Sequence, residues 1–366
     1  MENIFLFTRI VKDIPALVPF VGVKTMERLK GHSIKLRLGA NESCFGISPL
    51  AREAIQEVTE QIALYGDPES YDLRTILAAN HEITKENIVI GSGIDDLLGL
   101  VVRTFIEPGQ ATVMSRGSYP TFNYHVLGYG GQMFFVPYKN FHNDLGALLE
   151  TAKKVNARII YLVNPDNPTG TYLLTDKIYG AIRQLPPQCL LLLDEAYVDF
   201  APTNAVLPMQ PFHPQVIRLR TFSKGHGLAG ARIGYAIADA SIIAAFEKIR
   251  LHYGVNRVAQ AAALASLKDT NFLKMVIAEV EAGRNEYISL AQELELSTLP
   301  SATNFVSIDM GTQERAFSTV EKLFELGTFI RTPSADPLNR YIRVTVGTPQ
   351  ERREFSHIFR KVCLGK

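Results

Sequence analysis

The sequence predicts an α/β fold, with a large domain on a mostly parallel, helix-covered sheet and a smaller α+β domain after it. Three observations predict it. Short apolar runs alternate with helix-like stretches of roughly 10–15 residues, the pattern of βαβ units. The runs are continuously apolar, as strands covered on both faces are. After residue 295 the regular alternation gives way to a different order. The 366 residues exceed one ordinary core and suggest two domains. We expect an N-terminal arm at 1–35, a large domain at 36–255 and a small C-terminal domain at 256–366, with the arm packed on the small one.

The elements follow in order. The arm holds an amphipathic piece at 24–30. Residues 51–62 read as a helix and 87–91 as a strand. A helix at 95–106 is stopped by Glu107-Pro-Gly, because proline and glycine end helices. Strands at 111–115 and 132–138 flank a helix at 119–127, and a helix at 144–155 follows. A strand at 158–163, a helix at 176–183 and a strand at 190–193 leading into Asp194 come next. Strands at 216–220 and 232–238 complete the set. Helices are expected at 241–252, 257–268 and 272–295. In the small domain, strands at 304–309, 328–331 and 341–346 accompany helices at 314–326 and 349–362.

Composition excludes several classes. Hydrophobic residues make up 46%, enough for a sizeable core. The net charge of +1, with no block of like charges, gives no electrostatic case for nucleic acid or a membrane surface. No run of 18 apolar residues is present to span a membrane. The first residues carry an acid where a secretory signal wants bases, so none is expected. Cys44, Cys189 and Cys363 are odd in number and far apart, which fits a reducing cytoplasm. The histidines lack metal-ligand spacing, and no metal is expected.

In parallel sheets, ligands bind off the carboxyl ends of the strands. Gly91, Asn164, Asp194 and Lys224 all fall at such ends. Lys224 stands in Thr221-Phe-Ser-Lys-Gly-His-Gly-Leu-Ala-Gly-Ala-Arg232. A lysine there, with a carboxylate, an amide and a tyrosine at neighbouring strand ends, is what a pyridoxal phosphate site needs. The lysine forms the Schiff base and shuttles the proton. Asp194 follows four apolar residues, where a carboxylate is costly unless paired, and a protonated pyridine nitrogen is such a pair. Tyr197 and Asn167 are placed to hydrogen-bond the ring's 3-hydroxyl. The turn Gly91-Ser-Gly-Ile-Asp-Asp96 offers helix-start amides to a phosphate, with Thr221, Ser223 and Arg232 completing the cup. Arg343, inside a strand pattern, and Arg331 are candidates to grip a substrate carboxylate or phosphate. Gly225-His-Gly-Leu-Ala-Gly230 matches a dinucleotide fingerprint, but that motif should open a helix, and a strand is expected here. His226 is read as a packing residue.

Together these motifs resemble the fold-type I superfamily of pyridoxal phosphate enzymes and, within it, the histidinol-phosphate aminotransferase family of class I/II. The resemblance runs from about residue 36 to the end. It rests on Leu38-Gly-Ala-Asn-Glu-Ser-Cys-Phe-Gly46, Tyr65-Gly-Asp-Pro68, Gly91-Ser-Gly-Ile-Asp-Asp96, Asn164-Pro-Asp-Asn-Pro-Thr-Gly170, Asp194-Glu-Ala-Tyr197, Arg220-Thr-Phe-Ser-Lys224 and Ile342-Arg-Val-Thr-Val-Gly347. It implies that Tyr119 stacks on the cofactor ring, with Phe122 the substitute if the register differs. It also implies that the amides of Gly93, Ile94 and Asp95 hold the cofactor phosphate. Tyr65 would reach the phosphate of a neighbouring subunit's cofactor, hence a homodimer with shared active sites. Arg343 would bind the substrate carboxylate, Arg331 a substrate phosphate, and Asn41 would lie against the substrate. Tyr65-Gly-Asp-Pro, Asn41-Glu-Ser-Cys and Ser92 depart from the family's usual residues, Ser92 replacing an asparagine near the substrate.

The expected reaction is transamination between an amino donor, histidinol phosphate first, and a 2-oxo acid such as 2-oxoglutarate. An aromatic amino acid donor, a phosphoamino-acid decarboxylase and a non-catalytic binding module on the same scaffold are the alternatives.

Overall fold

Each apolar run between residues 88 and 237 becomes a strand of one sheet. The computed structural model describes residues 6–14, 22–31, 33–210 and 212–365. Residues 1–5, 15–21 and 32 of the expected arm lie outside the described residues, and its described part holds helices Arg9–Asp13 and Val23–Lys30. Among the described residues the strands, in chain order, are β1 (Leu36–Arg37), β2 (Ile88–Gly91), β3 (Ala111–Ser115), β4 (Gln132–Val136), β5 (Ile159–Val163), β6 (Leu190–Asp194), β7 (Val216–Thr221), β8 (Gly234–Ile237), β9 (Ser297–Thr298), β10 (Phe305–Asp309), β11 (Thr328–Phe329) and β12 (Tyr341–Thr345).

The large sheet runs β2-β8-β7-β6-β5-β3-β4. All its pairings are parallel except those of β8, which is antiparallel to both β7 and β2. That reversal matters for the site. Gly234 pairs with both Gly91 and Thr221, so β8 begins at the edge where β2, β5, β6 and β7 end. The chain entering β8 therefore delivers Arg232 to the same edge as Lys224. Arg232 itself is not part of the strand, because its φ of 56° is left-handed.

Both faces of the sheet are buried, which is why the strands read as unbroken apolar runs. On one face Tyr161, Val163, Leu192, Ile217 and Leu219 pack with Leu98, Val101 and Phe122. On the other, Ile160, Leu162, Leu191 and Leu193 pack with Leu148, Ala152 and Ile178. A second core joins β10 and β12 to the long helix Thr270–Glu293 and the terminal helix Pro349–Leu364. The terminal helix opens with a capping box between Thr348 and Glu351.

Packing moves the expected division. Ala259, Ala262 and Ala263 of helix Arg257–Lys268 pack with Ile88 and Ile237 of the large sheet. Leu36 and Leu38 instead join the second core, and β1 pairs with β11. We therefore propose that the division lies near Asp269 and that the segment around Leu36–Leu38 belongs with the small unit. Helix Tyr71–His81 was not among the expected elements, although its buried Leu73 and Leu77 stand one turn apart.

The glycine-rich segment after Lys224 does not open a helix of the dinucleotide kind. It passes through a short 3-10 turn, Ala229–Ala231, into β8. Gly227 has φ of 73°, and a Cβ there would overlap the Gly46 carbonyl. At Gly230 an added Cβ meets nothing within 4 Å. Gly227→Ala is thus expected to destabilise the protein by more than about 1 kcal/mol, whereas Gly230→Ala changes little. Calorimetric unfolding of the two variants checks this contrast.

Candidate active site

The carboxyl edge of the large sheet opens into a cavity of about 840 Å³. Its lining includes Asn41, Ile94, Asp95, Tyr119, Asn167, Asp194, Tyr197, Thr221, Ser223, Lys224, Arg232, Arg331 and Arg343. Gly93 stands behind Arg232 at the start of helix Ile94–Phe105. Tyr65, expected to reach a cofactor phosphate, is not among the cavity's lining residues. It is 77% exposed and packs against Tyr253 in a tilted ring pair, with centroids 4.7 Å apart.

Lys224 follows β7 and donates from Nζ to the Asn41 carbonyl oxygen at 2.9 Å. Burial first, and then the nearby Arg343 charge, lower its pKa to about 8. Asn41 is fixed on every side. Its φ is 53°, its amide N–H donates to Thr345 Oγ1 at 3.1 Å, and its Nδ2 donates to the Tyr197 hydroxyl at 2.9 Å. Asn304 Nδ2 donates to the same carbonyl that receives the lysine, at 3.1 Å. Sequence reading placed Asn41 beside the substrate, and here its polar atoms serve Lys224 and Tyr197.

Asp194 ends β6 and is 2% exposed. It accepts hydrogen bonds from the Tyr161 hydroxyl at 2.8 Å and the Ala196 amide at 3.0 Å. Burial raises its pKa to about 6, against the lowering effect of those two donors. Tyr161 was not foreseen. Its only sequence signal is a hydroxyl within the apolar run of β5, and Phe122 stacks on it at 4.7 Å. So Phe122 supports Tyr161 from the core, and Tyr119, not Phe122, lines the cavity.

The remaining groups form two clusters. At one end Tyr119 donates to Asp95 Oδ1 at 2.9 Å, and Arg232 Nη2 lies 3.2 Å from Asp95 Oδ2. Thr221 Oγ1 donates to Ser223 Oγ at 2.9 Å. A Cβ at Gly93 would sit 2.6 Å from Arg232 Nη2, so only glycine leaves room for this approach. At the other end Arg343 donates to Asn167 Oδ1, and a bridge pairs the backbones of Arg331 and Arg343. Arg343 Nε is buried without a hydrogen-bond partner. Burial brings the Arg343 pKa down to about 10, opposed by Tyr197 and helped by the neighbouring Arg331 charge. Ser92 is turned away and donates its hydroxyl to the Gly254 carbonyl. His226 packs below the site, with Nδ1 2.7 Å from Ser266 Oγ. Arg116, Asn123 and residues 332–335, none of them foreseen, complete the wall.

These residues fit pyridoxal phosphate. Asp194 is a buried carboxylate with no cation paired to it among the described residues, which a protonated ring nitrogen would satisfy. The Gly93 cradle, with Arg232 and the paired hydroxyls of Thr221 and Ser223, suits a phosphate.

Comparison with known proteins agrees. Residues 33–358 match the model of the family described as aminotransferase class I and II. A histidinol-phosphate aminotransferase from Bacillus cereus is 33% identical over 95% of this chain and 94% of its own length. One from Moorella thermoacetica is 32% identical over 96% of this chain and 92% of its own. The crystal structure of histidinol-phosphate aminotransferase from Sinorhizobium meliloti in complex with pyridoxal-5'-phosphate superposes with a TM-score of 0.96. It is 41% identical, and the match covers 100% of this chain and 99% of that one. An aspartate aminotransferase variant from Thermus thermophilus, 19% identical with a TM-score of 0.81, shares the fold.

The depressed lysine is directly testable. In the cofactor-free protein, labelling of Lys224 by an amine-selective reagent is expected to rise with a midpoint near pH 8. Exposed lysines should rise near about 10.4. Peptide mass spectrometry across a pH series separates them.

Proposed function

We propose, for a chain that belongs to the class I and II aminotransferase family and is a pyridoxal-phosphate-dependent aminotransferase, that the amino donor is L-histidinol phosphate and the acceptor 2-oxoglutarate. One observation carries the choice of substrate. Arg331 and Arg343 are bridged at one end of the cavity, and the charge of Arg331 helps lower the Arg343 pKa. Two arginines at one end of the cavity suit a ligand with two negative charges. A phosphate monoester supplies both on one group, and 2-oxoglutarate supplies them on two carboxylates. The same arginines can thus serve both halves of the reaction. The names of the similar proteins support the same donor.

The residue roles follow from position. Lys224 holds the cofactor through Nζ. Asp194 holds the ring nitrogen, while Tyr197 and Asn167 face the 3-hydroxyl and Tyr119 the ring. Gly93, Ile94 and Asp95, with Thr221, Ser223 and Arg232, cradle the cofactor phosphate. When bound, pyridoxal phosphate supplies an electron sink that makes the donor's α-proton removable. Lys224, lowered to about 8, has a substantial free-amine fraction near neutrality, so it can take that proton and return it. The contact from Arg343 to Asn167 ties the group that grips substrate to one that faces the cofactor.

We extend the proposal to a homodimer with shared sites. Tyr65 and Tyr253 stand in an exposed apolar patch with Ile62, Leu64 and Leu251. An uncovered patch of this kind marks a protein interface. A second copy seated there would let Tyr65 reach the partner's cofactor phosphate. The three free cysteines suit the cytoplasm.

Single-turnover absorbance on the cofactor-loaded enzyme tests the substrate. L-Histidinol phosphate should discharge the lysine-held cofactor at least about a hundredfold faster than L-phenylalanine. If phenylalanine wins, the aromatic reading replaces this one. If a phosphoamino acid offered in their place releases carbon dioxide, the decarboxylase reading does. Lys224→Ala should lower the rate by at least about 10²-fold, and surviving activity would sink the mechanism. For the shared site, mixed Lys224→Ala and Tyr65→Ala subunits should regain up to about a quarter of wild-type activity, because a hybrid pair keeps one intact site. No recovery on mixing, with exchange of subunits verified, would rule sharing out.

A further inference from the structure

Directly beneath the site lies a buried charge cluster that the proposed chemistry does not use. Glu195, 2% exposed, follows Asp194. It accepts from Arg218 through Nε at 3.0 Å and Nη2 at 2.6 Å, and from Arg220 Nε at 2.9 Å. Arg218 also donates to the carbonyls of Leu207 and Pro208, at 2.7 and 3.0 Å. Three charge-assisted bonds converge on one carboxylate in a dry place.

The position of the cluster gives it meaning. Residues alternate across a strand, so Asp194 and Glu195 point to opposite faces of the sheet. Asp194 sits opposite Leu219 in the β6–β7 register, and the Glu195 amide donates to the Leu219 carbonyl at 2.8 Å. Arg218 and Arg220 share the face that Glu195 points to, and Thr221 falls on the cavity side. The cluster therefore clamps β6 to β7 where Asp194 ends one and the chain to Lys224 leaves the other. Its other members extend the grip. Asp199 faces Arg220, and its Oδ2 would lie 2.7 Å from a Cβ on Gly225, the residue after Lys224. Tyr235 on β8 meets Arg220, and its hydroxyl lies 3.0 Å from His81 Nε2. Burial, with Arg220 and Arg218, brings the His81 pKa down to about 4, so that ring stays neutral. Two arginines thus face two carboxylates, and the charge is balanced.

We propose that Glu195, gripping Arg218 and Arg220, is a positioning residue that holds the Lys224 end of β7 in register beside Asp194. This rests on the roles proposed above for those two residues. Glu195, Arg218 and Arg220 lie outside the cavity lining. The cluster fixes how far the amine stands from the carboxylate across the cavity, and rates are sensitive to such placement.

The test uses the full-length, cofactor-loaded enzyme. Glu195→Gln keeps the shape and removes the charge. It should lower kcat per bound cofactor at least about tenfold with KM nearly unchanged. It should also move the pH midpoint of the lysine-held cofactor's visible band by about half a unit or more. Glu195→Asp should recover part of both. A lower thermal midpoint with kcat and the spectral midpoint at their wild-type values would reduce the cluster to a stability element and overturn the proposal. If Glu195→Gln does not fold, Arg220→Lys takes its place. It keeps the charge, loses the planar fork and is judged by the same two readouts. A wild-type enzyme without a lysine-held band would instead refute the role of Lys224, a result distinct from either outcome.

Discussion

An amine and a carboxylate are brought to one sheet edge, and neither forms an ion pair among the described residues. Lys224 has a carbonyl oxygen, and Asp194 has a hydroxyl and an amide. Burial lowers the first pKa to about 8 and raises the second to about 6. Each group is thus drawn toward its neutral form, which a ligand with a cationic nitrogen and an aldehyde reverses on binding. Much of the large sheet serves this arrangement. Parallel strands bring their carboxyl ends to one edge, and the reversed β8 brings Arg232 to it from the other direction. The alternation of side chains then keeps the cavity face separate from the clamped face below.

The small unit contributes through few contacts. Asn41 joins it to the large one, bonded to Thr345 of β12 and Tyr197 of the large sheet's edge. Arg343 does the same through Asn167. The two side chains that join the cores at the cavity therefore come from β12 or the segment beside it. The groups that suit the cofactor come from the large sheet. Residues of both cores line the cavity.

Much of this was legible in the sequence, for a physical reason. Asp194 and Asn164 are polar residues at the ends of unbroken apolar runs, and Lys224 follows shortly after a third strand, a pattern that buried parallel strands with a functional edge produce. Lines of strands and helices followed from the same runs. What was not legible depends on contacts between distant segments. Tyr161 looks like any tyrosine in a core until its hydroxyl is seen on Asp194. Arg218 and Arg220 read as charges in a strand, and only the β6–β7 register shows Glu195 between them. Helix Tyr71–His81 lies beside a motif-rich stretch whose polar residues drew attention from its apolar spacing. Helix Arg257–Lys268 continues the alternating pattern without signalling that it packs on the large sheet.

Asn41 and Thr345 meet across 304 positions of chain, whereas Lys224 and Arg232 are eight apart. Closing the longer loop costs more conformational entropy, and it is repaid only when both cores are complete. The carbonyl that receives the lysine is held by that long-range contact. In the cofactor-free protein the surroundings of Lys224 thus depend on contact between distant segments as well as on the turn around it.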